Sequence, residues 1–484
     1  MSLSGALSNA LSGLTAASRN AQITASNLAN VMTEGYARRE IDLGSRILGG
    51  GGGVTVNGII RHANPGLIAE RRMATSDQSA TTRLGTYFNR LESLVGTPAD
   101  GDSLSSRIAD FEASLISAAS RPDLTERLNQ VMLDASELAT TFERVSDGIQ
   151  TQRGEADREI AATVDHLNTA LEQVRDLNIR ISHAVVNGQD TSAMEDQRQV
   201  LIDEISEIVP VREYQRDLGA VALFTPGGAI LLDGNAATLD FTAANVITPD
   251  MTQAGGQLSG LTINGDPVST DSGSSPIRGG RLAALFQIRD ELAVETQAQL
   301  DAVARNLVER FQDAGLDTTR APGSAGLFTD NGSVFDATNE IGLAGRLRIN
   351  AAVDPDAGGA VWRLRDGLGA AAPGAVGDSQ LLQDMADALT ALNVPASGGF
   401  GTAAQSLGSL QATFLGQIGS AREVSDQAVS FAAARFSAAN SQVLEEGVDS
   451  DQEIQRLMLI EQAYAANVRM MEVVDEMMQA LMRI

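Results

Sequence analysis

Apolar residues along this chain fall mostly at helical spacing. Over the first thirty residues Leu3, Leu7, Ala10, Leu14, Ala17, Ala21, Thr24, Leu28 and Val31 follow alternating steps of four and three. That pattern predicts one helix with a heptad seam along one side. The last segment, 453–484, mirrors it. Leu457, Ile460, Tyr464, Asn467, Met471, Val474, Met478 and Leu481 stand at steps of three and four, with Asn467 as a polar break. An isolated helix of either length is marginal in water. Each seam therefore needs a partner, and the other seam is the obvious one, so the chain reads as a hairpin on a large scale.

Between the ends, Gly35 suits a left-handed helix cap, and the glycine run 49–53 reads as a flexible turn before a short strand at Val54–Val56. A helix is predicted over 66–95, with Leu84, Phe88, Leu91 and Val95 on one face. From Leu124 to about Val186 two stripes succeed each other, the first running from Leu128 to Ile149 and the second from Leu167 to Val185. A further helix covers about 193–208, ending before Pro210. Over 211–275 Val, Leu, Thr and Phe clusters alternate with the turn pairs Gly227-Gly228, Asp233-Gly234 and Asn264-Gly265, the mark of hairpins. Helix returns from Arg281 to about Ala314. Residues 315–400 are mixed, with strand-like Arg346–Asn350 and Val361–Leu364. Residues 403–444 are helical, with Ile418, Ala421, Val424, Ala428 and Phe431 in line. The expected fold is mainly α, with a smaller β-rich outer domain. Residues 1–35 and 453–484 form a terminal coiled-coil domain. A helical bundle takes 36–210, 281–320 and 403–452, a β-rich domain takes 211–280, and 321–402 is mixed α/β.

Charge sharpens this picture. The 484 residues carry a formal net charge of −27, and all 35 basic residues are Arg. So acidic a chain does not seek nucleic acid or an anionic membrane. The ends are nearly neutral: residues 1–30 carry only Arg19, so the acid excess lies in the middle. Low-charge ends can pack against identical ends, while an acidic middle suits a solvated surface.

Candidate chemistry adds little. With no Cys there is no disulfide, thiolate ligand or Cys nucleophile. His62, His166 and His183 lack metal-ligand spacing, and the Asp- and Gly-rich pieces lack the ligand series of a calcium loop. No catalytic, cofactor or metal residue is assigned, and the chain is not expected to be an enzyme. No basic segment leads into an apolar leader, and no apolar run is long enough to cross a bilayer. Met470, Met471, Met477, Met478 and Met482 read either as core or as an adaptable binding face.

Residues 2–36, with Ser2-Leu3, Ser12-Gly13-Leu14, Ala16, Asn27-Leu28-Ala29-Asn30, Thr33 and Gly35-Tyr36, resemble the N-terminal signature of flagellar rod, hook and hook-associated proteins. Residues 461–481, with Gln462-Ala463-Tyr464, Asp475-Glu476-Met477 and Leu481, resemble the C-terminal one. Gly35-Tyr36-Ala37-Arg38, the stretch from Asp196-Gln197-Arg198 to Ile205, and Gly279-Gly280-Arg281-Leu282 point to the hook-associated members; Met32 and Glu34 depart from the usual turn. The resemblance implies a structural subunit that joins the hook to the filament and lets flagellin polymerise, with a hook or distal-rod subunit as the alternative. It implies export without a cleaved signal to the extracellular flagellum. The implied partners are further copies of the chain, hook protein, a second junction protein on the flagellin side, and a cytoplasmic export chaperone at the C-terminal helix. It also implies assembly contacts at Leu3, Leu7, Leu14, Asn27, Leu28, Asn30, Gly35, Tyr36, Leu457, Gln462, Tyr464, Met471, Met478 and Leu481.

Overall fold

The computed structural model describes residues 3–33, 35–46 and 52–483. Ser2, Glu34 and the first part of the glycine run lie outside the described residues.

The longest element is α4, Thr125–Val186, 62 residues without a break and so ~93 Å long at 1.5 Å per residue. Both apolar stripes point inward except at their end: Leu128, Leu138, Phe142, Val145 and Ile149 are buried in its first half and Leu167, Leu171, Val174 and Ile181 in its second, while Val185, in the last turn, is exposed. Around it pack α2 (Pro65–Val95), α3 (Leu104–Ser120), α5 (Ser192–Ile208), α6 (Gly280–Gln287) and α7 (Ala293–Gln312). Asn64 starts α2 by accepting the backbone N–H groups of Gly66 and Leu67, with Pro65 in the first turn. Phe328 meets Phe111 and Phe311 edge to face where α3, α7 and β10 (Phe328–Asp330) converge, and those two rings are tilted against each other.

The β-rich segment forms two antiparallel sheets. In one the order is β3-β4-β5-β6 (Arg212–Gln215, Val221–Phe224, Ile230–Asp233, Asn235–Ala236), and in the other β7-β8-β9 (Leu239–Asp240, Leu261–Ile263, Asp266–Val268). Two asparagines on α4 hold them. Asn178 donates to the Val221 carbonyl at 2.8 Å and accepts the Val221 N–H at 3.2 Å. Asn168 does the same with Leu239, at 2.7 and 2.9 Å. Each side-chain amide thus mimics a neighbouring strand. The apolar residues of both sheets join the helical core.

Between α6 and α7 the helix widens into a π turn, Ile288–Leu292, around the fully buried Arg289. Its guanidinium meets Asp157 of α4 at 2.7 Å, Asp290 at 2.7 Å and the Ser259 carbonyl at 3.0 Å. Phe241 and Phe286 lie against the cation at 5.2 and 5.1 Å. Neighbouring Arg153 donates to the carbonyls of Arg289, Thr248 and Met251. These bonds tie the irregular stretch 241–260 to the central helix.

Region 321–402 packs into the same core through Phe328, Leu343, Leu347, Leu364, Leu382 and Met385. It contains α8 (Leu343–Arg346), the β10–β11 pair (β11, Leu347–Ile349), α9 (Arg363–Asp366) and α10 (Gln380–Thr390). The strand expected over Val361–Leu364 is instead a turn running into α9. Val361 and Leu364 are buried three residues apart, as in one turn of helix.

Asp301 caps α8 from below. Its carboxylate accepts the N–H of Gly342 at 2.7 Å and of Ala344 at 2.9 Å, and the Gln297 amide at 3.0 Å. Burial still pushes its pKa up to about 6. A carboxyl that holds its proton more tightly when folded stabilises the fold below its unfolded pKa, and that contribution is lost as pH rises through about 6. Asp301→Asn should therefore flatten the pH dependence of stability between about pH 4 and 7, by no more than roughly 3 kcal/mol. Thermal unfolding of both proteins across that range measures it; parallel curves would refute the assignment.

Helix α11, Leu407–Glu445, runs back along α2. Its inward line is Leu407, Leu410, Phe414, Ile418, Ser425, Ala432 and Ala439. The stripe expected through Ala421, Val424, Ala428 and Phe431 is corrected here: Val424 is exposed, and Phe431 is 68% exposed. The cause is close approach. A Cβ on Gly85 of α2 would stand 3.1 Å from Val429 and 3.6 Å from Ser425, so the contact takes small residues and turns the bulky ones out.

Candidate functional site

The chain ends pair. Helix α1 (Leu3–Ala29) lies against α12 (Ser450–Met482) and against a hairpin of β1 (Arg38–Ser45) and β2 (Val54–His62). Asp449 caps α12 by accepting the N–H groups of Asp451 and Gln452. In α12 Ile460 and Val474 are buried, with half-buried Asn467 midway between them. Opposite Asn467 stands Gly13, where a Cβ would come within 2.8 Å of the amide oxygen. The buried positions of α1 are small: Ala10, Ala16, Ala17, Thr24 and Asn27. Ser12 accepts the Val54 N–H at 3.1 Å, holding the hairpin to the helix.

A polar clasp closes the inner end of this pair. Asn27, buried, uses its whole amide. Its nitrogen donates to the Arg39 carbonyl at 2.9 Å and to Glu453 at 3.1 Å; its oxygen accepts the Tyr36 hydroxyl at 2.8 Å and the Arg39 N–H at 3.0 Å. Glu453, only 1% exposed, is met on its other oxygen by Arg38 Nε at 2.8 Å. Arg39 stacks on the Tyr36 ring at 4.8 Å and reaches Asp196 of α5 at 2.6 Å; Arg61 of β2 meets the other Asp196 oxygen at 2.7 Å. One step further out Arg456 of α12 pairs with Glu40 and holds that carboxyl below its ordinary range. The clasp joins α1, the turn after it, the hairpin, α12 and, through Asp196, the helical bundle. Its buried charges are paired, the condition under which a buried ion is tolerated; only Arg39 Nε, among the clasp's described side-chain atoms, is buried without a hydrogen bond.

The turn depends on Gly35. Its φ is +75°, and a Cβ there would lie 2.5 Å from Val200 of α5. Gly35→Ala combines left-handed strain with a clash against a packed side chain, and should cost about 2 kcal/mol or more at the clasp. Hydrogen exchange at the Tyr36–Arg39 amides would rise, and Val200→Ala should restore part of the protection. Unchanged exchange would mean that the turn relaxes freely.

These chain ends and the bundle behind them have relatives. The family profile described as "Flagellar hook-associated protein FlgK helical domain" matches residues 76–328, just over half of the chain. The chain belongs to the flagellar hook-associated protein FlgK family. A second profile, "Flagellar basal body rod FlgEFG protein C-terminal", matches residues 441–484, which include all of α12. Flagellar hook-associated protein 1 of Escherichia coli is 27% identical over 439 residues, covering 81% of this chain and 78% of that protein. The protein of the same name from Bacillus subtilis is 21% identical over 494 residues, covering 94% and 93%. Among solved structures the flagellar hook junction protein FlgK from Burkholderia pseudomallei is similar, with 20% identity and a TM-score of 0.44, over 55% of this chain and about half (46%) of that one. Membership in the FlgK family makes the chain a structural component of the flagellum.

Among the residues expected at the assembly contact, the structure brings Asn27 and Tyr36 together in the clasp. Asn30 serves its own helix end, donating to the Ser26 carbonyl and accepting the Thr33 hydroxyl. Leu3, Leu14, Leu28, Leu457 and Met471 are half-buried along the pair. Leu7, Gln462, Tyr464, Met478 and Leu481 stand exposed, facing away from cover within their own chain. Arg38, Arg39, Arg61, Asp196 and Glu453 were not singled out for the site from sequence. The adjacent arginines and the acids Asp451 and Glu453 in the first turn of α12 are the local signals for them. Among the described residues no group of three or more His, Cys, Asp or Glu is placed to hold a metal ion, and no helix is long and apolar enough to cross a membrane.

Proposed function

We propose that this chain joins the flagellar hook to the filament, building into the axial tube through its paired terminal helices and offering flagellin a surface on which to polymerise. The observation that carries this reading is the uncovered face of the pair. Ile454, Met458, Leu459, Met470, Val473 and Met477 of α12 are all exposed although α1 is already packed beside them. So much apolar surface on one element marks an interaction site, and neutral ends on an acidic chain can meet further copies. The contacts are heterologous, as a tube requires. Hook protein and a second junction protein on the flagellin side are the neighbours this role needs. Export without a cleaved signal, with a chaperone covering the C-terminal helix, fits a helix so poorly covered by its own chain.

The test is electron microscopy of cells lacking the chain, with flagellin assayed in the medium. Bare hooks with flagellin lost to the medium are the expected result. Missing hooks would favour the alternative, a hook or distal-rod subunit; normal filaments would remove both. The match of a hook-associated helical domain over 76–328 favours the first reading.

A further inference from the structure

Helices α1 and α12 and the β1–β2 hairpin form one terminal unit. Among the described residues none of it belongs to the apolar core of the bundle, and none of its helices or strands runs along a bundle helix. Two short connections lead into it, residues 63–64 before α2 and 446–449 after α11. Asn64 donates to Glu446 Oε1 at 3.0 Å, so the two connections meet at one place. Beside them lies an open groove of about 460 Å³, walled by Val31 and Met32 of the terminal unit and by Leu67, Val443 and Leu444 of the bundle. A unit joined at one place and facing an open groove can tilt unless a further contact holds it.

That contact is narrow. Among the described residues every hydrogen bond from the terminal unit to the bundle ends on Asp196 or Gln199 of α5. Asp196 accepts the Ala37 N–H at 3.3 Å, Arg39 Nη2 at 2.6 Å and Arg61 Nε at 2.7 Å; Arg61 also donates to Gln199. Val200, on the same face of α5, packs against Gly35. Arg39 and Arg61 stand directly opposite each other across the hairpin. Like charges so placed repel, and Asp196 is the carboxylate that both of them share. Two guanidinium donors from different strands on one carboxylate fix direction as well as distance. The three side chains are only 12–16% exposed, so salt screens them weakly. We propose that Asp196 sets the tilt of the terminal unit on the bundle, and that its release lets the unit swing across the groove. In the assembly role proposed above, that angle decides how far the bundle leans from the axis of the tube.

The chain has no Cys, so two introduced thiols can carry nitroxide labels without background. Leu43→Cys places one on the hairpin and Glu204→Cys the other on α5, both at exposed positions. Distances between the labels are measured in the isolated full-length chain by double electron–electron resonance. With Asp196 in place one narrow distribution is expected. Asp196→Ala, which favours helix but offers no acceptor, should at least double its width while the helical circular dichroism and melting temperature of the bundle stay as they were. Arg39→Gln combined with Arg61→Gln should broaden it equally from the other side of the contact. Asp196→Glu, which keeps the carboxylate, should recover most of the narrow distribution. An unchanged width in the charge-removing variants would overturn the inference, as would a distribution already broad with Asp196 in place. Should Asp196→Ala lose its helical signal, the double arginine variant decides alone. The tilt is read on the isolated chain, so this test and that of the assembly role fail separately.

Discussion

Asn27→Leu is expected to leave the helical bundle folded and to abolish filament growth. Leucine has the same branched heavy-atom skeleton as asparagine but offers no polar atom and is bulkier at its two methyls. It strands the Arg39 N–H and carbonyl and one oxygen of the buried Glu453, and leaves the Tyr36 hydroxyl only Ser26 Oγ at 3.4 Å. Each stranded group costs roughly 1–3 kcal/mol when left buried without a partner, so the clasp loses about 3 kcal/mol or more. The terminal pair has little to set against that loss, since α12 buries only Glu453, Ile460 and Val474 in its own chain. The bundle, whose core does not include Asn27, should keep its circular dichroism and melting temperature. The check is to compare that melting curve with swimming and with filament counts by microscopy. Filaments of normal number and length would show that the clasp is dispensable.

Arg289→Ala should instead strike the bundle. It leaves Asp157, which is fully buried, and Asp290 without their cation. Removing one partner of a buried ion pair costs about 3–5 kcal/mol, which lowers the melting temperature by roughly 3–5 °C in a chain of this size. It also frees the Ser259 carbonyl and the rings of Phe241 and Phe286, so proteolysis should begin within 241–260. A fall no larger than that of a surface substitution would mean that Arg153 or solvent takes over both carboxylates.

The two expectations touch parts of the chain that were unequally legible. The central helix could be read directly, because α4 buries bulky residues such as Phe142 and Leu171 on its inner face and the period is plain. The terminal pair and the α2–α11 pair obey a different rule. There the helices approach closely at Gly13 and Gly85, small residues go inside, and Leu7, Leu11, Val424 and Phe431 are left outside. A reading that follows the largest apolar side chains then traces the wrong face, as it did along α11. Asn27 and Tyr36 could be singled out from the end signature, but their partners could not. Arg39 and Asp196 are 157 positions apart, Asn27 and Glu453 426, and no periodicity links residues over such spans. The π turn around Arg289 was equally silent, since a one-residue widening leaves the apolar pattern almost unchanged.

The long span between Asn27 and Glu453 also makes the ends depend on the middle. Closing a loop of several hundred residues is entropically unfavourable until the intervening chain is compact. The bundle shortens that distance, and it also supplies Asp196, without which Arg39 and Arg61 lack their acid. The joined ends thus act as a gauge of the middle: a substitution that displaces Asp196 from α5 is felt at Arg39 and, through the Asn27 amide, at Glu453 on the far end of the chain.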